Sequence, residues 1–202
     1  MAVQPILRMG DPRLQQVSQP VTEFNAAELD ALVVDLFDTM KANSGAGLAA
    51  PQIGVLKRVV IFGEASVTGQ SNNVEASESK SSNPRYPDAD SVPLTILINP
   101  QIEVLSNSHQ SYWEGCLSIP GMRGLVARPD HIRYQGFDPY GVKIDREVRG
   151  FHAIVVQHEC DHLDGVLYPM RMQDMSQFGF VDEINQAQLT RLNHPENHSD
   201  PE

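Results

Sequence analysis

The amino-acid sequence is low in aromatic residues, cysteine and positive charge, and each shortage excludes a class of protein. Aromatic residues make up 6% of the 202 residues, whereas glycine and proline number 14 each, a balance typical of many turns and not of a helical bundle. The two cysteines allow at most one disulfide, and a cytoplasmic setting favours metal binding or catalysis instead. Lysine and arginine number 15 against 26 acidic residues, and the net charge of −11 excludes a basic nucleic-acid groove, because phosphate binding requires clustered cations.

Long apolar runs are also missing. No stretch approaches the length of a membrane-spanning helix, and residues 1–8 lack the charged start and apolar run of a secretory signal. We therefore expect a cytoplasmic protein that does not enter a membrane.

The remaining composition favours one folded domain. With 41% hydrophobic residues, a chain of 202 residues can bury one continuous core. We predict a single domain over residues 1–192 and a flexible polar tail over residues 193–202. Residues 64–93 are rich in Ser, Asn, Asp, Glu and Pro and contain few apolar side chains, so they predict a surface insertion loop.

Hydrophobic spacing predicts an α+β fold. Apolar residues recur at helical intervals between residues 25 and 43, and Asn25 with Glu28 predicts a capping box at the start of this helix. Asn99 and Pro100 are expected to close one of the strands. Strands are predicted at residues 58–62, 94–98, 102–105, 124–127, 132–137 and 142–148. With a further helix near residue 158, this order predicts mainly antiparallel strands packed around one central helix.

The most informative segment is residues 157–165 (QHECDHLDG), which contain the pattern H-E-x-x-H within a run that reads as a helix. Positions i and i+4 lie on one helix face, so His158 and His162 can present two imidazole nitrogens to one metal ion. Glu159 lies beside the metal, where its carboxylate is free to transfer the protons of a water molecule. The pattern predicts metal-assisted hydrolysis with Glu159 as the general base.

A catalytic site of this kind needs a third protein ligand and an open position, and the residues alone leave three candidates. Tyr168 occupies the position at which one protease pattern has a third histidine. Glu183 lies where another protease pattern takes a glutamate from a following helix, and Cys116 follows a glycine upstream. Cys160, between the two histidines, is rotated away from the metal face, so we expect a small buried apolar side chain there.

Three ordered motifs resemble those of the peptide deformylase family: residues 45–52 (GAGLAAPQ), 114–118 (EGCLS) and 157–165. The resemblance implies an α+β fold and hydrolysis of the N-formyl group from the N-terminal formylmethionine of newly made polypeptides, with release of formate. An H-E-x-x-H metallopeptidase that uses Glu183 as third ligand is the alternative. A non-catalytic, metal-stabilised binding module is a third hypothesis, which the intact Glu159 disfavours.

The resemblance also implies the parts of the site. Cys116 becomes the third ligand of one divalent ion, iron(II) in the native enzyme, with zinc(II) or nickel(II) as alternatives. The catalytic set is Glu159 together with the Gln52 side-chain amide and the backbone N–H of Leu117, which stabilise the developing oxyanion. The implied substrate-binding residues are Gly45, Ala46, Gly47, Glu114, Gly115, Arg123, Ile154 and Val155.

Two further expectations concern charged residues away from the ligands. We expect Asp161 to pair with Arg128 and so support the metal-binding helix. The partners that the resemblance implies are N-formylmethionyl nascent peptides and, transiently, the ribosome. Residues 173–202 contain a single Lys or Arg, Arg191, which disfavours ribosome docking through a basic C-terminal segment.

Overall fold

The computed structural model describes residues 3–64, 83, 86 and 89–193, without the side chains of residues 188–193. It has the predicted α+β fold. Within these residues, three α-helices and eight strands follow one another in the order α1 Ala27–Ala42, β1 Gly47–Ala49, β2 Val59–Phe62, β3 Thr95–Val104, β4 His109–Cys116, β5 Ile119–Pro129, β6 His131–Phe137, β7 Lys143–Arg149, α2 Gly150–Leu163, β8 Phe178–Phe180 and α3 Val181–Asn193. Short 3₁₀ helices at Ala50–Ile53 and Tyr168–Arg171 connect some of them.

The strands form two sheets in which neighbouring strands pair antiparallel, as predicted. Five strands have the order β1-β2-β3-β6-β7, and three have the order β4-β5-β8. Strands β1 and β4 are therefore edge strands, each with one side that pairs with no other strand in the described part of the chain. Both edges carry residues of the family motifs, 47–49 in β1 and 114–116 in β4.

Asn99 and Pro100 do not close a strand, contrary to the prediction. Strand β3 continues through them to Val104, with a register shift against β6 between Ile98 and Gln101. Asn99 takes a left-handed φ of 50° and exchanges two hydrogen bonds with the backbone of Val21, at 2.9 and 2.8 Å. The tertiary contact stabilises a bulge where the local sequence is typical of a strand end.

Helix α2 is central, as predicted, because its back face packs on the five-stranded sheet. Val156, Cys160 and Leu163 lie in one apolar cluster with Val60, Phe62, Ile132 and Tyr134. Cys160 is 7% exposed, which confirms the expected buried apolar side chain. The opposite face of α2 faces β4 and β5, and the polar residues of the motif lie there.

The capping box predicted for α1 is wrong. The helix begins at Ala27 after Ala26, which makes no side-chain cap. Asn25 adopts a φ of 57° and its backbone N–H donates to Pro139 O at 3.2 Å, so the turn before β7 holds it outside the helix. Asparagine tolerates this left-handed conformation better than most residues. The helix ends at Ala42, just before the first motif begins at Gly45. The backbone N–H of Gly45 donates to Met40 O at 2.9 Å and so caps the end of the helix.

Part of the predicted insertion and tail lies outside the described residues. Residues 65–82, 84–85, 87–88 and 194–202 are not described, so the surface loop over 64–93, the tail and the domain limits stay predictions. Two described residues of the insertion contact the folded body: Val92 is 3% exposed within the core, and Tyr86 packs against it. Within the described ranges, no helix combines the length and the apolar character needed to cross a membrane.

Candidate active site

A cysteine and two histidines meet between the two sheets. Helix α2 presents His158 and His162 one turn apart, and the end of β4 brings in Cys116. One ligand atom of each lies within 4.8 Å of the others, the single group of this kind among the described residues. Cys116 Sγ and His162 Nε2 are 3.3 Å apart. Two such ligands on one tetrahedrally bound ion lie about 3.5 Å apart, so the residues fit a metal of the zinc or iron type.

The other two candidates for the third ligand do not join this group. Glu183 is exposed on α3 and is absent from the cluster. Tyr168 is buried, but its ring stacks on His158 with centroids 6.1 Å apart and planes inclined by 25°. Tyr168 therefore packs against the imidazole ring of His158.

A buried charge network supports His158 from behind. His158 Nδ1 is 2.7 Å from Glu114 Oε2, which leaves Nε2 directed to the cluster. Arg128 donates to both Glu114 oxygens, at 2.6 and 3.0 Å, and to Asp161 at 2.8 Å. Asp161 also accepts two hydrogen bonds from Arg171, at 2.6 and 3.1 Å. The predicted pair of Asp161 and Arg128 is confirmed.

The network determines the charge states of its members. Burial by itself raises the pKa of Glu114, but hydrogen bonds from His158 and Arg128 outweigh burial and lower the pKa to about 2. Burial lowers the pKa of His158, yet its contacts with Cys116 and Glu114 raise it well above the ordinary value. The ionised Glu114 therefore holds the His158 ring in one orientation, which is the usual partnership behind a metal-bound histidine.

The thiol of Cys116 lies in surroundings that favour its anion. Burial raises its pKa, but the His162 and His158 rings more than reverse this and hold the pKa well below that of a free thiol. Gln52 Nε2 donates to Sγ at 3.3 Å, and the backbone N–H of Ser118 donates to it at 3.4 Å. A thiolate is the form of cysteine that binds metal ions. Sequence reasoning missed Ser118, although it is the last residue of the motif 114–118.

Gln52 is buried, at 1% exposure, and its amide is held in a fixed orientation. Oε1 accepts from Ala49 N at 2.8 Å, so Nε2 is left to face Cys116 and Ser118 Oγ, the latter at 3.1 Å. The 3₁₀ helix Ala50–Ile53 produces this arrangement, because it brings Gln52 back over the end of β1. Its N–H donors thus point at the centre of the site.

Glu159 is 5% exposed and lies beside the ligands without being one of them. Its Oε2 has no hydrogen-bond partner within the described part of the chain. Burial raises its pKa to about 7, although His158 and His162 act in the opposite direction. Such a carboxyl can gain or lose a proton near neutral pH. Gly47 lies directly against the Glu159 carboxylate, and a Cβ atom at this position would overlap it.

An open cleft leads from the surface to these groups. It contains nearly all the predicted substrate and oxyanion residues, namely Gly45, Ala46, Gly47, Gln52, Glu114, Gly115, Leu117, Ile154 and Val155. The carboxylate of Glu114, however, is engaged with His158 and Arg128. Arg123 does not line the cleft, and its guanidinium instead lies 5.3 Å from the centroid of the Tyr86 ring.

Four aromatic residues of the cleft were missed by sequence reasoning: Tyr86, Tyr112, Trp113 and Phe151. Tyr112 and Trp113 belong to β4, which the strand pattern did not predict, although they directly precede the second motif. Phe151 lies in α2 seven residues before His158, and this helical spacing is the signal that could have identified it. Nothing in the local sequence marks Tyr86, because a polar segment surrounds it.

A cysteine and two histidines, a buried carboxyl beside them whose Oε2 has no hydrogen-bond partner among the described residues, and an open cleft define the site of a metal-dependent hydrolase. Comparison with known proteins then identifies the family. The chain belongs to the polypeptide deformylase family, whose sequence model matches residues 3–178.

Curated relatives and solved structures agree with this assignment. Peptide deformylase 1 of Nitrosomonas europaea is 56% identical over 182 residues, which cover 90% of this chain and 94% of the relative. Peptide deformylase 2 of Ralstonia nicotianae is 55% identical, covering 89% and 93%. A Met-Ala-Ser-bound class I type b peptide deformylase from Acinetobacter baumannii superposes with a TM-score of 0.74 at 33% identity, covering 85% and 99%. The Ehrlichia chaffeensis peptide deformylase gives a TM-score of 0.70 at 28% identity, covering 100% of both chains.

The family resemblance, the fold and the activity predicted from the three motifs are thereby confirmed. The protein is a metal-dependent hydrolase that removes the N-formyl group from newly made polypeptides. The alternative metallopeptidase that uses Glu183 as a ligand has no support in the geometry, since Glu183 is exposed outside the cluster.

Proposed function

We propose that Cys116, His158 and His162 hold one divalent ion and that Glu159 carries the proton during deformylation. The observation that supports this most directly is the position of Glu159: it is buried, its Oε2 lacks a hydrogen bond among the described residues, and it lies next to the ligand cluster. A buried carboxyl group with only a structural role normally has hydrogen-bond partners for its oxygens.

The ion, when bound, supplies Lewis acidity, which acidifies water and polarises a carbonyl oxygen. The Glu159 carboxylate accepts a proton from the attacking water and delivers it to the departing amine nitrogen, so that formate and a free N-terminus result. As the formyl carbon becomes tetrahedral, its oxygen gains negative charge. The Gln52 amide, whose direction is fixed by Ala49, and the backbone N–H of Leu117 donate hydrogen bonds to this oxygen.

The cleft accounts for the choice of formylmethionine. We assign the methionine side chain to the apolar wall of the cleft, formed by Tyr112, Trp113, Phe151, Ile154 and Val155. A formyl group carries hydrogen where an acetyl group carries methyl. A closely packed site around the reacting carbon would reject this extra methyl group. The peptide that follows the methionine runs between the two free sheet edges, β1 and β4, as an added strand.

We further propose iron(II) as the native ion, as in the enzymes that the motifs resemble, and the cytoplasm as the place of action. Two imidazoles and one thiolate also bind zinc(II) and nickel(II) well. A transient ribosome contact would use a surface other than the C-terminal segment, where Arg191 is the single Lys or Arg of residues 173–202.

The role of Glu159 is tested by Glu159→Gln with Glu183→Gln as the matched control. Formate release from formyl-Met-Ala should fall by ~10²-fold or more in Glu159→Gln, the scale of general acid–base catalysis, while the bound metal stays at the wild-type content. Glu183→Gln should retain both metal and activity. Full activity in Glu159→Gln would refute the assignment, and loss of metal in Glu183→Gln would return Glu183 to the ligand set.

The native ion is tested by loading the protein with one equivalent of iron(II), nickel(II) or zinc(II). The anaerobic iron form should be highly active and decay in air as oxygen attacks the ferrous ion and the Cys116 thiolate. The nickel form should be active and durable, and the zinc form durable but slower. Equal formate release by the iron and zinc forms would contradict this order.

A further inference from the structure

Tyr86 reaches the cleft from the insertion and bonds to the backbone of a single residue, Gly115. Its hydroxyl donates to Gly115 O at 3.3 Å and accepts from Gly115 N at 3.1 Å. The ring is held separately, with its centroid 5.0 Å from that of Phe151 and the Arg123 guanidinium 5.3 Å away. One hydroxyl thus satisfies both polar groups of one peptide-backbone position.

Those two groups belong to the free edge of β4. The β4–β5 ladder pairs Glu114 with Gly124 and Cys116 with Ile119, and its register shifts between them, so Gly115 has no partner in β5. In an antiparallel strand the N–H and C=O of one residue point to the same side. Both groups of Gly115 therefore face the cleft, at the place where a peptide added as a strand would bond.

We propose that Tyr86 is a specificity-determining residue that competes with the substrate backbone for Gly115. Its hydroxyl mimics the donor and acceptor of a peptide group, and a peptide that extends beyond methionine must take over both bonds. Because Phe151 and Arg123 hold the ring independently of the hydroxyl, this exchange affects two hydrogen bonds and leaves the wall of the cleft in place. Tyr86 therefore weakens the binding of extended peptides more than that of methionine alone. The inference rests on the proposed path of the peptide along β4.

The test compares Tyr86→Phe with Tyr140→Phe, since Tyr140 is 71% exposed on a turn outside the cleft. Binding of the peptide Met-Ala-Ser and of free methionine to the metal-loaded protein is measured by calorimetry. Tyr86→Phe keeps the ring and removes the hydroxyl, so it should bind Met-Ala-Ser ~3- to 10-fold more tightly, the scale of one or two hydrogen bonds. Its affinity for methionine, and both affinities of Tyr140→Phe, should stay at wild-type values.

Turnover gives a second readout. The KM for formyl-Met-Ala-Ser should fall in Tyr86→Phe by the same factor while kcat stays within about twofold, because the bonds to Gly115 strengthen the binding of the substrate and of the transition state equally. Unchanged or weaker binding of Met-Ala-Ser by Tyr86→Phe would overturn the proposal, as would an equal gain for methionine alone. The binding measurement needs no turnover, so failure of this inference is distinguishable from failure of the deformylase assignment, which would appear as no formate release by the wild type.

Discussion

Helix α2 separates two buried regions that contain the same residue types with opposite chemistry. Cys116 and His158 lie on its front side, and Cys160 and His152 on its back. Burial raises the pKa of both thiols, but at Cys116 the neighbouring histidines reverse the effect, whereas at Cys160 nothing of comparable strength opposes it. The histidines differ in the same way: the pKa of His158 is raised by Cys116 and Glu114, and that of His152 is lowered to about 4 by burial and Arg146.

The comparison shows that burial alone does not make a catalytic group. At the front, Arg128 lies between the carboxylates of Glu114 and Asp161, and Glu114 in turn contacts the His158 ring, so the buried charges are paired. At the back, Cys160 packs against side chains such as Val60 and Ile132, and the neutral form is favoured. The difference explains why the front can hold a metal ion and the back stabilises the fold.

The largest expected effect comes from replacing each cysteine by serine. Cys116→Ser should weaken metal binding by more than ~100-fold, since even residues behind metal ligands change affinity by 10- to 100-fold. Metal content after dialysis and formate release should both fall nearly to zero. Cys160→Ser should keep its ion and activity but lose about 1 to 3 kcal/mol of unfolding free energy, because a hydroxyl replaces a thiol in an apolar core. Metal loss in Cys160→Ser and not in Cys116→Ser would reverse the proposed division between the faces.

The second largest effect is expected when a positive charge is removed from the front side of α2. Arg128→Met leaves the buried Glu114 and Asp161 without their shared cation and should cost about 3 to 5 kcal/mol of unfolding free energy. The matched control is Arg133→Met, because Arg133 forms a similar two-bond pair with Asp145, at 2.6 and 2.8 Å, on the exposed surface. Its cost should be far smaller, because water and salt screen an exposed ion pair. Urea unfolding of the metal-loaded proteins measures both values, and equal losses would show that the front network is not special.

The smallest effect concerns His152 at the back. Its pKa is about 4 in the folded protein and 6.5 as an ordinary histidine, so between these values the unfolded chain binds a proton that the folded chain does not. The stability that depends on neutral His152 is fully present above pH 6.5 and is lost as the pH falls toward 4. Between pH 7 and 5, wild type should lose about 1 to 2 kcal/mol more than His152→Gln. The exposed His109→Gln serves as control, and parallel curves for wild type and His152→Gln would contradict the assignment.

The sequence by itself determined the features that depend on local spacing. The i and i+4 positions of His158 and His162 require that both rings share one helix face, and the same periodicity places Cys160 on the other. Alternating strands of moderate length predicted antiparallel sheets, and three ordered motifs predicted the family. Prediction succeeded here because helix and strand periods are properties of a few consecutive residues.

Only the tertiary structure decided which distant residues meet. Cys116 and His162 are separated by 46 positions in the sequence, and their contact depends on how β4 packs against α2. Asn25 does not cap α1 as predicted, because the turn at Pro139 holds it outside the helix. Tyr86 bonds to Gly115 from a segment whose local sequence gives no sign of this contact. These outcomes follow from register and packing between elements, where the free energy depends on surfaces that fit across the chain. Local composition does not contain that information. The residues alone therefore left three candidates for the third ligand, and the contact of Tyr86 with the β4 edge became visible only in the folded molecule.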